Sequence, residues 1–328
     1  MSRLWIAVRL PVMRSLFLKF LAALVVVSAA ASLPAQEWAK AALEKSPRHH
    51  EYVALKHGDP TVQAFVVYPE VSHKAPVVIL IHEIFGLSDW AKEMADELAA
   101  QGYIVIAPDL LTGAGPNGGG SDAFPNQDQV TKAVSGLRDD QVTADLDAAA
   151  DYAKKIPSAN GKLFVAGFCW GGGKSFAFAT HRHDLSAAFV FYGPPPPDVT
   201  TITAPVYGFY AANDARISAT VPATTNAMKA AGKKYEPIIY DGAGHGFMRA
   251  GEDPNNTVPG NKTARNEGFK RLTTLIDKLN AASASHLQKP VRTGSAIAKP
   301  AVAAISCHDA TPSGDAKHEA TMDMAAIM

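Results

Sequence analysis

The stretch Leu163-Phe164-Val165-Ala166-Gly167-Phe168-Cys169-Trp170-Gly171-Gly172-Gly173 passes from an apolar run straight into a glycine-rich segment. An unbroken apolar run suits a strand covered on both faces, as in a parallel sheet. It predicts a strand over Leu163 to Gly167 and, after one sharp turn, a helix over Gly171 to Thr180. The alternation continues in both directions. Upstream, Val62 to Tyr68, Pro76 to Ile81 and Tyr103 to Ala107 read as strands. Ala91, Met94, Ala95, Leu98 and Ala99 repeat at helical spacing, with Ser88 placed to cap that helix and Gly102 to end it. Val142, Leu146, Ala149 and Ala153 mark a second helix. Downstream, Ala187 to Tyr192, Val206 to Tyr210 and Pro237 to Tyr240 read as strands. Helices are expected over Val221 to Ala231 and around Phe269, Leu272, Ile276 and Leu279. Such alternation implies an α/β fold, a mostly parallel sheet with helices on both faces. Thr112 to Gln127 is rich in Gly, Pro, Asn and Asp and reads as a long loop of the kind that sits over α/β sites.

The chain has 328 residues, 47% of them hydrophobic, enough for one large core. Its 31 basic and 31 acidic side chains balance, and no Lys/Arg patch points to nucleic acid. Two cysteines, Cys169 and Cys307, exclude a disulfide-built scaffold. Residues 1–36 read as a secretory signal: Arg3, Arg9, Arg14 and Lys19 precede the apolar run Phe20 to Val27 and a cluster of small residues. Met13 is an alternative start, and Ala29-x-Ala31 and Ala35 are alternative cleavage sites. The rival reading is an uncleaved anchor, but about a dozen apolar residues are short for a membrane span. Export without a stable span is therefore expected, to the periplasm or the medium. Residues 282–328 are rich in Ala, Ser, Lys and Pro without periodicity and read as a disordered tail. The domain proper is expected over 50–280.

Gly-x-Cys-x-Gly between a strand and a helix is the pattern of a nucleophile elbow, with cysteine where serine is common. The turn lifts the side chain off the sheet edge, and glycines two residues to either side remove atoms that would clash. The following helix N-terminus favours thiolate and offers N–H groups to an oxyanion. A buried structural cysteine needs none of these features. A thiol nucleophile requires a base, and the base an orienting group. Asp214 follows the strand Val206 to Tyr210, and His245 follows Pro237 to Tyr240. Both stand at strand C-terminal ends, in the chain order nucleophile, acid, histidine.

His82-Glu83-Ile84-Phe85-Gly86-Leu87, Gly167-Phe168-Cys169-Trp170-Gly171-Gly172, Asn213-Asp214 and Gly244-His245-Gly246-Phe247 together resemble the dienelactone hydrolase (carboxymethylenebutenolidase) family of the α/β-hydrolase superfamily. The likeness covers roughly residues 50–280. It implies a carboxylic ester or lactone hydrolase with a Cys169–His245–Asp214 triad and a thioester intermediate. No metal or other cofactor is implied. The resemblance further implies that Glu83 contacts the resting thiol and helps switch it to thiolate. Ile84 and Trp170 would give backbone N–H groups to an oxyanion hole. Arg249 would hold a substrate carboxylate, as a guanidinium can, and Tyr192 would line the pocket. The family's second carboxylate-binding arginine has no clear counterpart, Arg138 being the nearest candidate. His82 and Pro194 to Pro197 are expected to alter the pocket rim. The expected partner is a small-molecule lactone or ester, with the protein a monomer or small homo-oligomer. An alternative class is a non-catalytic or redox-responsive exported binding protein, its Cys169 thiol masked by Cys307. The tail's Cys307, His308, His318 and methionines could also take copper or zinc, although a solvated tail is the simpler reading.

Overall fold

The computed structural model describes residues 36–56 and 61–287, with side chains as far as residue 282. The expected signal segment as far as residue 35, and the residues beyond Leu287 with Cys307, lie outside the described residues. Eight strands form one sheet: β1 (His49–Lys56), β2 (Thr61–Tyr68), β3 (Ala75–Ile81), β4 (Ile104–Pro108), β5 (Ala159–Phe168), β6 (Ala187–Phe191), β7 (Val206–Ala211) and β8 (Tyr235–Tyr240). Their spatial order is β1-β2-β4-β3-β5-β6-β7-β8. β1 and β2 pair antiparallel, as do β2 and β4, and all other pairs are parallel. The helices are α1 (Glu37–Glu44), α2 (Asp89–Ala100), α3 (Gln127–Ser135), α4 (Asp139–Ala153), α5 (Trp170–His181), α6 (Ala215–Ser218), α7 (Val221–Ala230), α8 (Phe247–Glu252) and α9 (Pro259–Leu287).

The apolar runs do what an unbroken run predicts. All seven residues of β3 are buried. Because side chains alternate across a strand, Val77, Ile79 and Ile81 enter one core, with Val142 and Leu146 of α4 and Phe176 of α5. Val78 and Leu80 enter the opposite core, with Met94 and Leu98 of α2 and Leu272 and Ile276 of α9. Helices therefore cover both faces. In the second core an aromatic ladder crosses the strands: Phe168 stacks on Phe191 at 4.6 Å, and Phe191 on Phe209 at 4.1 Å. Trp90 closes edge-on against Phe168 at 5.3 Å. The Ser88 cap is made, its hydroxyl accepting from the N–H of Ala91, and Gly102 takes φ +96° just past the end of α2.

Several elements go beyond the sequence expectation. α1 lies ahead of the expected domain start, yet Ala39 is fully buried and Gln36 Oε1 accepts from the N–H of Trp90. α9 runs to Leu287, past the boundary read at residue 281, because the helical pattern continues into alanines and serines. The Thr112–Gln127 loop carries two short 3-10 turns, Pro116–Gly118 and Ser121–Ala123. It is tied down: Ser121 Oγ donates to Asp109 Oδ1 and accepts from the N–H of Leu87. Among the described residues no helix is long and apolar enough to cross a membrane.

Connectivity places the site. From β3 the chain moves to β4 on one side, while from β5 it moves to β6 on the other. The adjacent C-terminal ends of β3 and β5 therefore form the switch point of the sheet, where loops part and leave a crevice.

Candidate active site

Cys169 emerges at that crevice, between β5 and α5. Its backbone has φ 57° and ψ −117°, a conformation costing a non-glycine residue on the order of 1–3 kcal/mol. The surroundings hold it there. Its N–H donates to Phe191 O at 3.1 Å, and its carbonyl accepts from Gly172 and Gly173. The flanking glycines are required by space. A Cβ on Gly167 would stand 1.9 Å from Gly171 O, and one on Gly171 would stand 2.4 Å from the carbonyls of Ile81 and His82.

Three side chains from three strand ends meet in a line. His245 Nε2 lies 3.1 Å from Cys169 Sγ, and His245 Nδ1 donates to Asp214 Oδ2 at 2.5 Å. Asp214 caps α6 through Ile217 N and is 8% exposed, so its carboxylate is fixed before the imidazole arrives. Burial alone disfavours imidazolium at His245. The hydrogen bonds to Cys169 and Asp214 outweigh it and raise the ring to about 9. Such a line can move a proton between sulfur and imidazole without breaking the orienting bond.

Around this line, the loop after β3 supplies Glu83 and Ile84. The N–H groups of Ile84 and Trp170 donate to no acceptor among the described residues. Both remain available to a ligand, and Trp170 opens the positive end of α5. Glu83 is 2% exposed. Its Oε2 accepts from Arg249 Nε at 2.8 Å and its Oε1 from the Tyr192 hydroxyl at 3.3 Å. The expected contact of Glu83 with the thiol is thus replaced by two other donors, while Cys169 pairs with His245. Burial raises the Glu83 carboxyl against the opposing pull of Arg249. Tyr192, fully buried and at φ 40°, is held well above its ordinary value, first by burial and then by the Glu83 charge. It therefore stays a phenol and a donor. Arg249 sits on α8, directly after His245, with its guanidinium 4.8 Å above the Phe85 ring.

Arg138 is not brought to this cluster: it is exposed, and its guanidinium forks onto Asp140. His82 is not at a rim either. It is fully buried and stacks on the Trp170 ring at 5.6 Å, with Nδ1 bonded to Glu83 O. Burial lowers its pKa, so the ring is neutral. Sequence reasoning missed two supports, the Phe85 platform under Arg249 and Lys174, whose Nζ lies 5.1 Å from the Trp170 ring centroid. Phe85 lies inside a quoted motif and Lys174 directly follows one, but only packing shows which groups they meet.

Comparison with known proteins identifies the family. A family model described as the dienelactone hydrolase family matches residues 62–279. A Salmonella typhi protein named "Putative carboxymethylenebutenolidase" is 35% identical over 199 residues, 56% of this chain and 72% of that protein. A Methylorubrum extorquens protein of the same name is 33% identical over 234 residues, 67% of this chain and 78% of that protein. The crystal structure of a "Putative Dienelactone Hydrolase" from Klebsiella pneumoniae superimposes with a TM-score of 0.61 at 26% identity, covering 70% of this chain and 98% of that one.

Proposed function

Because the chain belongs to the dienelactone hydrolase family and is a lactone or carboxylic ester hydrolase, we propose that Cys169 is its nucleophile in a triad with His245 and Asp214. The observation that carries the reading is the continuous line from Cys169 Sγ through both imidazole nitrogens to the Asp214 carboxylate.

With a proton held on His245 Nε2, the sulfur attacks the carbonyl carbon as thiolate. The former carbonyl oxygen becomes an oxyanion facing the Ile84 and Trp170 N–H groups. Collapse breaks the carbon–oxygen ester bond, and the leaving alkoxide takes the proton from His245. In a lactone that alcohol stays tethered to the acyl group. His245, now neutral, draws a proton from water as the hydroxide adds to the thioester. Collapse releases the acid and the sulfur, and leaves His245 protonated as at the start. Asp214 keeps the Nδ1–H tautomer throughout.

Arg249 and Tyr192 are the pocket residues that favour esters or lactones carrying a free carboxylate, with Glu83 as the internal anion such a substrate displaces. Export is the proposed setting, supported by the basic and then apolar leader at 1–36. The amino terminus of protein recovered from an envelope fraction tests it. Purified Cys169→Ala, folded by circular dichroism, is expected to lose hydrolysis of an activated ester by at least about 1,000-fold. Wild-type rates in that variant overturn the assignment.

A further inference from the structure

Away from the reaction centre, α2 and α8 bring three carboxylates together. Glu93, Glu97 and Glu252 each place a carboxylate oxygen within 4.8 Å of the others. Oxygens that share one calcium-sized ion at about 2.4 Å can stand no more than about 4.8 Å apart. The group opens on a cavity of about 400 Å³, also lined by Trp38, Asp253, Asn256 and Lys262.

The compensation is incomplete. Arg265 bonds Glu252 through Nε and Glu97 through its terminal nitrogen, and Trp90 Nε1 donates to Glu252 Oε2 at 2.6 Å. Glu93 is 7% exposed, and its Oε2 is buried with no hydrogen-bond partner. A buried oxygen left in that state is unfavourable and calls for a partner. Around the cavity the four acids Glu93, Glu97, Glu252 and Asp253 face two cations, Arg265 and Lys262.

We propose that this pocket binds a hard divalent cation of the calcium type, with Glu93, Glu97 and Glu252 as ligands and water completing the shell. Oxygen-only donors exclude a preference for soft metals, and the open cavity suits an irregular, partly hydrated shell better than a closed octahedron. Glu252 ends α8, the helix that carries Arg249, so the bound ion braces the segment after His245.

Terbium, a luminescent substitute for calcium, tests the site, because Trp38 lines the cavity and Trp90 bonds a ligand. Chelator-treated full-length protein is titrated with Tb³⁺ under tryptophan excitation. Saturable luminescence, competed away by Ca²⁺ and lost in Glu93→Gln, is expected. Ca²⁺ is also expected to raise the melting temperature of the wild type but not of Glu93→Gln. Glutamine matches glutamate in size, so the variant should fold; if it does not, Glu97→Gln serves in its place. Absence of saturable luminescence in the wild type, or luminescence unchanged in a folded variant, overturns the proposal.

Discussion

Arg249 Nε donates to Glu83 Oε2 at 2.8 Å, so a guanidinium suited to a substrate carboxylate is engaged by a buried internal one. A substrate that carries its own carboxylate has to compete with Glu83 for that donor. A neutral ester does not. Arg249→Gln is therefore expected to lower kcat/KM for carboxylate-bearing lactones by roughly 10- to 100-fold, the worth of a charge-assisted hydrogen bond. Neutral short esters should change by no more than about threefold. Steady-state kinetics on the two substrate sets checks this, and equal losses on both would remove Arg249 from substrate recognition.

His245 links stability to pH. Its ring is raised from 6.5 to about 9 in the folded protein. A group raised by folding stabilises fully below its unfolded value, and that contribution disappears as pH rises through the folded value. The melting temperature of the wild type should therefore fall between pH 6.5 and 9. His245→Gln should lack this component, so the gap between the two proteins closes across the window. A constant gap would contradict the coupling to Cys169 and Asp214.

The elbow tolerates no side chain at Gly171. A Cβ there meets two backbone carbonyls, and neither can move without shifting β3. Gly171→Ala is expected to cost at least about 3 kcal/mol, at the upper end of overpacking effects. Urea unfolding or the yield of soluble protein reads this. Cys169→Ala, which adds no atoms, should unfold at nearly the wild-type denaturant concentration.

Phe168 supports the elbow from below, fully buried between Phe191 and Trp90. Truncation to alanine leaves a cavity in the ladder and should cost about 3–5 kcal/mol. Equilibrium denaturation gives the value, and a loss below about 1 kcal/mol would mean that the ladder relaxes around the gap.

The sheet was legible wherever one signal was local. β3 and β5 are apolar runs, and Gly167, Cys169 and Gly171 state their own turn. The order of Cys169, Asp214 and His245 was legible because each follows a strand. Less was visible where burial is sparse or elements are short. α1 buries only Ala39, and β1 buries only Leu55, its other positions being exposed or half-buried. α8 has six residues, too few for a period to show. The Glu83–Arg249 pair joins positions 166 apart, and no sequence spacing predicts that the arginine would meet this carboxylate. His82 looks like a polar rim residue in the sequence, and only the stack on Trp170 shows it to be buried.

The central claim is that acyl groups pass through Cys169. Wild-type protein turning over an activated ester, quenched in acid and digested, should yield the peptide containing Cys169 with the added mass of the acyl group. Hydrolysis of that thioester should restore the free thiol at the rate of turnover. Rapid turnover with Cys169 unmodified at every quench time, in a protein whose Cys169→Ala variant stays active, would contradict it.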